Sequence, residues 1–217
     1  MLATHADRVD PALLADWLRA RSIARGLPQP APLAGGGMRL DTGSDAELRR
    51  YVFPGPQPGI RALARSIGEP GVFIKVCGSG AELLALLPHG WRLQPQGWLM
   101  AHDGAWHMTP ALPAGYRLES AGDGVNTSAR ISVPDGALAA SGYAAEHGSV
   151  FILDRIATEA AYRRRGLGTA VVAALGGRRR DGDTRRVLVA TGDGRALYES
   201  MGWRVLSPFT TAVIERA

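Results

Sequence analysis

Residues 149–174 read SVFILDRIATEAAYRRRGLGTAVVAA, and their pattern decides the fold. The run 150–156 is apolar and β-branched apart from Asp154 and Arg155, a strand composition. A basic, glycine-bearing turn follows: Arg163, Arg164, Arg165, Gly166, Leu167, Gly168, Thr169. Leu167, Val171 and Leu175 then recur at helical spacing. A turn that feeds a helix in this way leaves several backbone N–H groups unpaired and aimed in one direction, and the helix dipole adds partial positive charge there. The stretch therefore reads as an anion site, with phosphate the usual anion. Gly166 and Gly168 lack Cβ, so a ligand can approach the backbone closely. It is not a Walker A loop, since no Gly-Lys-Ser/Thr follows, and it holds only two of the three glycines of a dinucleotide fingerprint.

A second segment narrows the reading. Leu197-Tyr198-Glu199-Ser200-Met201-Gly202-Trp203 lies on a predicted helix over 195–201 that Gly202 ends, after a strand at 186–190. Together the basic glycine turn and this segment resemble the acyl-CoA pyrophosphate loop and the L-Y-E-x-x-G-F/W segment of the GCN5-related N-acetyltransferase (GNAT) superfamily. The resemblance covers about residues 114–217. It implies an α/β (α+β) fold with a mixed, mostly antiparallel central sheet flanked by helices. It also implies an acetyl-CoA-dependent N-acetyltransferase that takes acetyl-CoA as cosubstrate, uses no metal, and acetylates a small amine or peptide acceptor; the cysteine usage and the lack of a signal-peptide or membrane-span pattern separately point to the cytoplasm.

Residue by residue, the resemblance implies that Ile156, Ala157 and Thr158 hold the pantetheine arm through strand amides. Arg163, Arg164, Arg165, Gly166, Leu167, Gly168 and Thr169 would hold the pyrophosphate. Thr191 stands where many members carry an asparagine that contacts pantetheine. Tyr198 matches the usual general acid, whose hydroxyl protonates the departing sulfur. The frequent glutamate base falls at Ile152, which cannot serve. Asp154 shares that strand face two residues on and is the first candidate base. Glu146, His147 and Glu159 are weaker candidates, and deprotonation through water with no dedicated base is the remaining route.

The chain before this segment carries no chemical motif. Asp10 and Pro11 open a helix with an apolar stripe at Leu13, Leu14, Trp17 and Leu18, and Gly26 stops it. Helices are predicted from Ser44 or Asp45 to Tyr51, over 59–67, and after Ser79. Strands are predicted at 38–41, 71–77 and 91–100, with a hairpin partner at 105–108. In the second half, strands are expected at 116–119, 128–133, 137–146, 203–206 and 210–214. Residues 119–128 are too short for the two helices the family places between its first two strands. The expectation is an N-terminal α/β region, 1–110, that packs on a core at 111–217 and replaces that wall, as a degenerate copy of the same fold or otherwise.

Composition bounds the function classes. The apolar fraction of 46% and the charged fraction of 21% are those of an ordinary globular protein. No run reaches the ~18 apolar residues of a membrane span, and no signal-peptide layout opens the chain. Cys77 is the sole cysteine and sits in an apolar run, an inert buried thiol. Lys75 is the sole lysine among 25 basic residues. The net charge of +5 and arginine clusters at 163–165, 178–180 and 185–186 raise nucleic-acid binding, but no aromatic residues interleave with them. Attraction of a polyanionic cosubstrate is the sharper reading. A non-catalytic acyl-CoA-binding protein is the alternative, with nucleic-acid association behind it. Homodimer formation stays open.

Overall fold

The computed structural model describes residues 9–214, so 215–217 of the GNAT-like segment lie outside it. Helix α1 (Pro11–Arg25) begins where expected: the Asp10 carboxylate accepts from the Ala12 N–H at 2.9 Å. It ends where Gly26 turns left-handed at φ 61° and its N–H reaches back to Ile23 and Ser22.

Twelve strands form one sheet among the described residues. In chain order they are β1 (Ala31–Pro32), β2 (Met38–Asp41), β3 (Arg49–Phe53), β4 (Val72–Cys77), β5 (Trp91–Leu93), β6 (Gly97–His102), β7 (Arg117–Gly122), β8 (Asn126–Ser132), β9 (Leu138–His147), β10 (Val150–Thr158), β11 (Arg185–Ala190) and β12 (Arg204–Ile214). Across the sheet they run β1-β2-β3-β4-β12-β6-β11-β10-β9-β8-β7, with β5 also paired to β12. Two neighbouring pairs are parallel, β3 with β4 and β10 with β11; the rest are antiparallel. Helix α2 (Gly59–Ser66) makes the first parallel crossover and α4 (Leu167–Gly176) the second. A short helix follows each, α3 (Gly80–Leu84) and α5 (Gly192–Ser200).

The sheet has a helix layer on each face. On one face α1 buries Leu13, Leu14, Trp17 and Leu18 against Leu99, Val150, Ile152, Val187 and Phe209. On the other, α4 packs Leu167, Val171, Val172 and Leu175 against Met100, Phe151, Leu153 and Leu188, while Ile60 and Leu83 of the first half's helices meet Ile74 and Val76. Alternate residues of β6, β10 and β11 thus feed opposite cores, as strand pleating demands. The hairpin β7–β8 leaves no room for intervening helices, as expected, and α1 lies over β8, β9 and β10 instead.

Several local expectations need correction. The helix predicted from Ser44 or Asp45 to Tyr51 ends in strand: Arg49, Arg50 and Tyr51, with Val52 after them, are paired on both sides, by β2 and β4. The single strand expected at 91–100 breaks around Pro95 into β5 and β6. Residues 105–108 form no hairpin; Trp106 packs on α4 and donates from Nε1 to the Ala173 carbonyl at 3.4 Å. The two strands expected at 203–206 and 210–214 are one, β12, with a register shift between Val205 and Ser207. Helix α5 starts earlier than predicted because the Thr191 hydroxyl accepts from the Gly194 N–H and caps it.

Candidate active site

A slot in the sheet creates the site. The parallel pairing of β10 with β11 runs only through Val150↔Arg185, Phe151↔Arg186 and Ile152↔Val187. Beyond Ile152 the strands part, and the β11-facing edge of 153–158 has no strand partner. On its other edge β10 shifts register against β9 between Asp154 and Ala157, with Arg155 at φ 52°. An extra residue of this kind bends a strand, which here carries β10 away from β11.

The basic turn closes one end of the slot. A 3-10 turn, Ala160–Tyr162, leads to Arg164 at φ 62° and Gly166 at φ 76°, which begins α4 with no side-chain cap. The first N–H groups of α4 are therefore left to a ligand or water. A Cβ on Gly166 would meet nothing within 4 Å, but the left-handed backbone there favours glycine. Arg163 donates to the Thr158 carbonyl (3.3 Å), and Arg165 to the Tyr116 hydroxyl (2.9 Å) and the Ala161 carbonyl (3.2 Å). These two side chains brace the turn in this state. Leu167 is a core side chain, 1% exposed, and offers only its backbone.

A cavity of about 450 Å³ runs through the slot. Ile156, Thr158, Gly168 and Thr191 line it, as do Leu197 and Tyr198 on the α4/α5 face. Ala157 lies on the bulge, and Arg163, Arg164, Arg165, Gly166 and Thr169 lie in the turn that Gly168 joins to the cavity. Tyr198 is 7% exposed, and among the described residues its hydroxyl has no hydrogen-bond partner. Burial, with the negative charge of Asp154 adding to it, pushes its pKa up to about 12. The phenol therefore keeps its proton across the physiological range.

The far part of the cavity lies under α1. Trp17, Arg21 and Arg25 of α1, Lys75 of β4, Gln96, and Phe209 and Thr211 of β12 line it. Asp154 enters this part and is fully engaged. Its two oxygens accept from Arg25 Nε (2.5 Å) and a terminal Arg25 nitrogen (2.9 Å), and Arg21 and Arg155 stand 3.6 Å away. Both oxygens of this sequence-predicted base thus face guanidinium groups. Arg155 also donates to the Ala24 carbonyl at 2.6 Å and lies 3.8 Å over the Tyr143 ring. Burial is the main cause that pulls the Lys75 pKa down to about 8; Arg50 and Arg25 add to this and Glu47 opposes it.

The other candidate bases lie outside the cavity. Glu146 accepts from the Arg180 and Asp181 N–H groups and from the Thr184 hydroxyl, so it ties down the loop before β11. His147 ends β9, Glu159 follows β10, and neither lines the cavity. Ile152, where the family glutamate falls, is fully buried in the core. Sequence reasoning missed Trp17, Arg21, Arg25, Lys75 and Gln96. Only Lys75 carried a signal, a lone lysine inside the apolar strand VFIKVC.

Among the described residues no group of three or more His, Cys, Asp or Glu side chains could hold a metal, and no helix is long and apolar enough to cross a membrane. No protein-family model matches the chain, and no curated protein does either. Solved structures do. A GCN5-related N-acetyltransferase from Kribbella flavida superposes with a TM-score of 0.66 at 16% identity, over 94% of this chain and 96% of its own. A GNAT-family acetyltransferase from Novosphingobium aromaticivorans gives 0.58 at 18% identity, over 99% and 100%. A tandem GNAT protein of the clavulanic acid biosynthesis pathway gives 0.53 at 15% identity, over 95% of each chain. The fold is therefore that of the GCN5-related N-acetyltransferases, a mixed sheet flanked by helices, and it spans both halves of the chain.

Proposed function

We infer that the protein transfers an acetyl group from acetyl-CoA to a primary amine, by direct attack within a ternary complex. The observation that carries this reading is the slot. Its unpaired strand edge, its glycine-turn helix start and its free tyrosine hydroxyl line one continuous cavity. The 153–158 edge would bind an amide-bearing arm as an extra strand would, and the uncapped start of α4 would bind a pyrophosphate. Acetyl-CoA would supply the activated acyl group. The amine nitrogen bonds to the acyl carbon, the carbon–sulfur bond breaks, and the departing sulfur takes the proton of Tyr198.

With Asp154 bound to Arg25, no carboxylate in the cavity is open to take the amine's proton. The surrounding cations disfavour an ammonium and lower the pKa of an incoming amine, so its proton passes to water in the cavity. Asp154 acts instead as the anchor that fixes α1 to the bulge. The N-terminal region, 1–110, supplies the acceptor side of the cavity through α1 and β4, and the segment 111–217 supplies the acyl-CoA side.

Calorimetric titration of acetyl-CoA and of free CoA tests the reading. Micromolar binding, lost in Gly166→Glu and Gly168→Glu, is the expected result; each substitution puts a carboxylate where a phosphate would sit. Absence of binding in the wild type would remove the acyl-CoA reading altogether.

A further inference from the structure

The cavity wall carries more positive charge than its own anion can neutralise. Arg21, Arg25, Lys75 and Arg155 line it, against the single carboxylate of Asp154. Two of these cations are committed, Arg25 by its bidentate bond to Asp154 and Arg155 by the Ala24 carbonyl and the Tyr143 ring. Arg21 stands 3.6 Å from Asp154, too far for a good hydrogen bond, and lies 5.6 Å from the centre of the Trp17 ring. The Lys75 ammonium lies 4.9 Å from the centre of the Phe73 ring and makes no ion pair or hydrogen bond among the described residues. Behind it, Arg50 is 2% exposed and donates to one oxygen of Glu47 at 2.7 Å, so that carboxylate is shared with a second buried cation.

An ammonium with no ion pair on a half-buried strand is costly, and the attraction of Glu47 offsets only part of that cost. The cation would be satisfied by an anion brought into the cavity. The location narrows the anion further. The start of α4, where a pyrophosphate would bind, is on the opposite face of the sheet from Lys75 and α1. Tyr198, at which the thioester sulfur would sit, lines the cavity on the α4/α5 face. Whatever reaches Lys75 therefore lies beyond the reacting carbon, and a carboxylate is the anion such small molecules carry there.

We propose that Lys75, with Arg21 on the same cavity wall, forms a carboxylate-binding subsite beyond the acyl carbon. The carboxylate belongs to the amine acceptor, as in an amino acid, or to the acyl group itself, as in a dicarboxylic acyl thioester. Trp17 and Phe209, in edge contact at 5.4 Å, give the carboxylate's carbon chain an apolar wall. The proposal rests on the acyl-transfer reading for what the ligand is, but the subsite can be tested without turnover.

The experiment is a calorimetric comparison in two arms. The first sets N-acetyl-L-alanine and N-acetyl-L-phenylalanine against their uncharged amides. The second sets succinyl-CoA against acetyl-CoA. In one arm the carboxylate should bind at least tenfold more tightly than its neutral counterpart. That preference should fall to less than threefold in Lys75→Met and weaken in Arg21→Gln. A preference in the first arm assigns the carboxylate to the acceptor, and one in the second assigns it to the acyl group. No preference in either arm, or a preference that survives Lys75→Met, overturns the subsite. Failure of the acyl-CoA reading looks different: acetyl-CoA would not bind, whatever the N-acetyl amino acids do.

Discussion

Lys75→Met should make the ligand-free protein more stable. Burial pulls the Lys75 pKa from 10.5 to about 8, against the attraction of Glu47. Each pH unit between those values corresponds to about 1.4 kcal/mol of preference for the neutral form. The protonated side chain therefore costs the fold at most about 3 kcal/mol, and water reaching it through the cavity reduces this to about 1–2 kcal/mol. Methionine keeps the unbranched apolar stem and removes the charge. The pH dependence has a definite sign. Between about pH 8 and 10.5 the unfolded chain holds a proton on Lys75 that the folded chain has released. Wild-type stability therefore gains on the variant as pH rises through that window, and the full deficit persists below it. Urea denaturation of both proteins, followed by circular dichroism, reads the difference. A gain of about 1–2 kcal/mol is expected at pH 7 and a smaller one at pH 10. A variant less stable than wild type at pH 7 would refute the reasoning, because the ammonium would then have an adequate counter-ion inside the fold.

Tyr198→Phe should lower kcat at least a hundredfold, the usual scale for a lost proton donor, with acetyl-CoA affinity unchanged by calorimetry; unchanged turnover would leave Tyr198 as packing against Trp203. Asp154→Asn should reduce stability by about 1–3 kcal/mol, since it breaks the partly buried bond that holds α1 to β10. If that variant keeps wild-type stability but loses turnover, Asp154 returns as the base. A fragment of residues 114–217 should be insoluble or unfolded. It lacks β6, which lies between β11 and β12, and α1, which covers β8 to β10. A soluble fragment with a cooperative thermal transition would contradict this.

The slot and its turn were legible because they are local. Strand, glycine turn and helix follow one another within 149–176, and each signal lies within a few residues of the next. The same holds for the Asp10 cap, the Gly26 stop and the Ser79–Glu82 capping box, in which each side chain meets the other's backbone N–H. What failed was non-local. β3 is five residues long and is made a strand by β2 and β4 on either side, which outweighs the capping residues before it. The two strands expected at 203–206 and 210–214 are joined through Pro208, where β12 passes from pairing with β6 alone to pairing with β4. The part of the cavity under α1 was illegible for the same reason. Asp154 meets Arg25 across 129 residues, and only the sheet order brings Lys75 of β4 into one cavity with β10. A lone charged residue in an apolar strand was the one trace the sequence offered of that side.

The order of strands and helices in the first half parallels that in the second, and this bears on how many ligands the protein should take. Each half has an antiparallel strand, a parallel pair joined by a helix, a second helix, and a last strand. β2, β3, α2, β4, α3 and β6 correspond in order to β9, β10, α4, β11, α5 and β12. The last strands are exchanged: β6 pairs with β11, β12 pairs with β4, and the two meet antiparallel at the centre. By that correspondence a second acyl-CoA slot would open between β3 and β4. Two differences close it. The pair stays together over all five positions from Arg49↔Val72 to Phe53↔Val76, where β10 and β11 separate after three. The turn before α2 reads Pro54-Gly55-Pro56-Gln57-Pro58, and its three prolines have no N–H to offer a phosphate. The first half should thus serve as wall and not as binder, with a calorimetric stoichiometry of one acetyl-CoA per chain. Two equivalents per chain, with the second surviving Gly168→Glu, would mean that β3 and β4 separate to admit a ligand and that the first half has kept its own site.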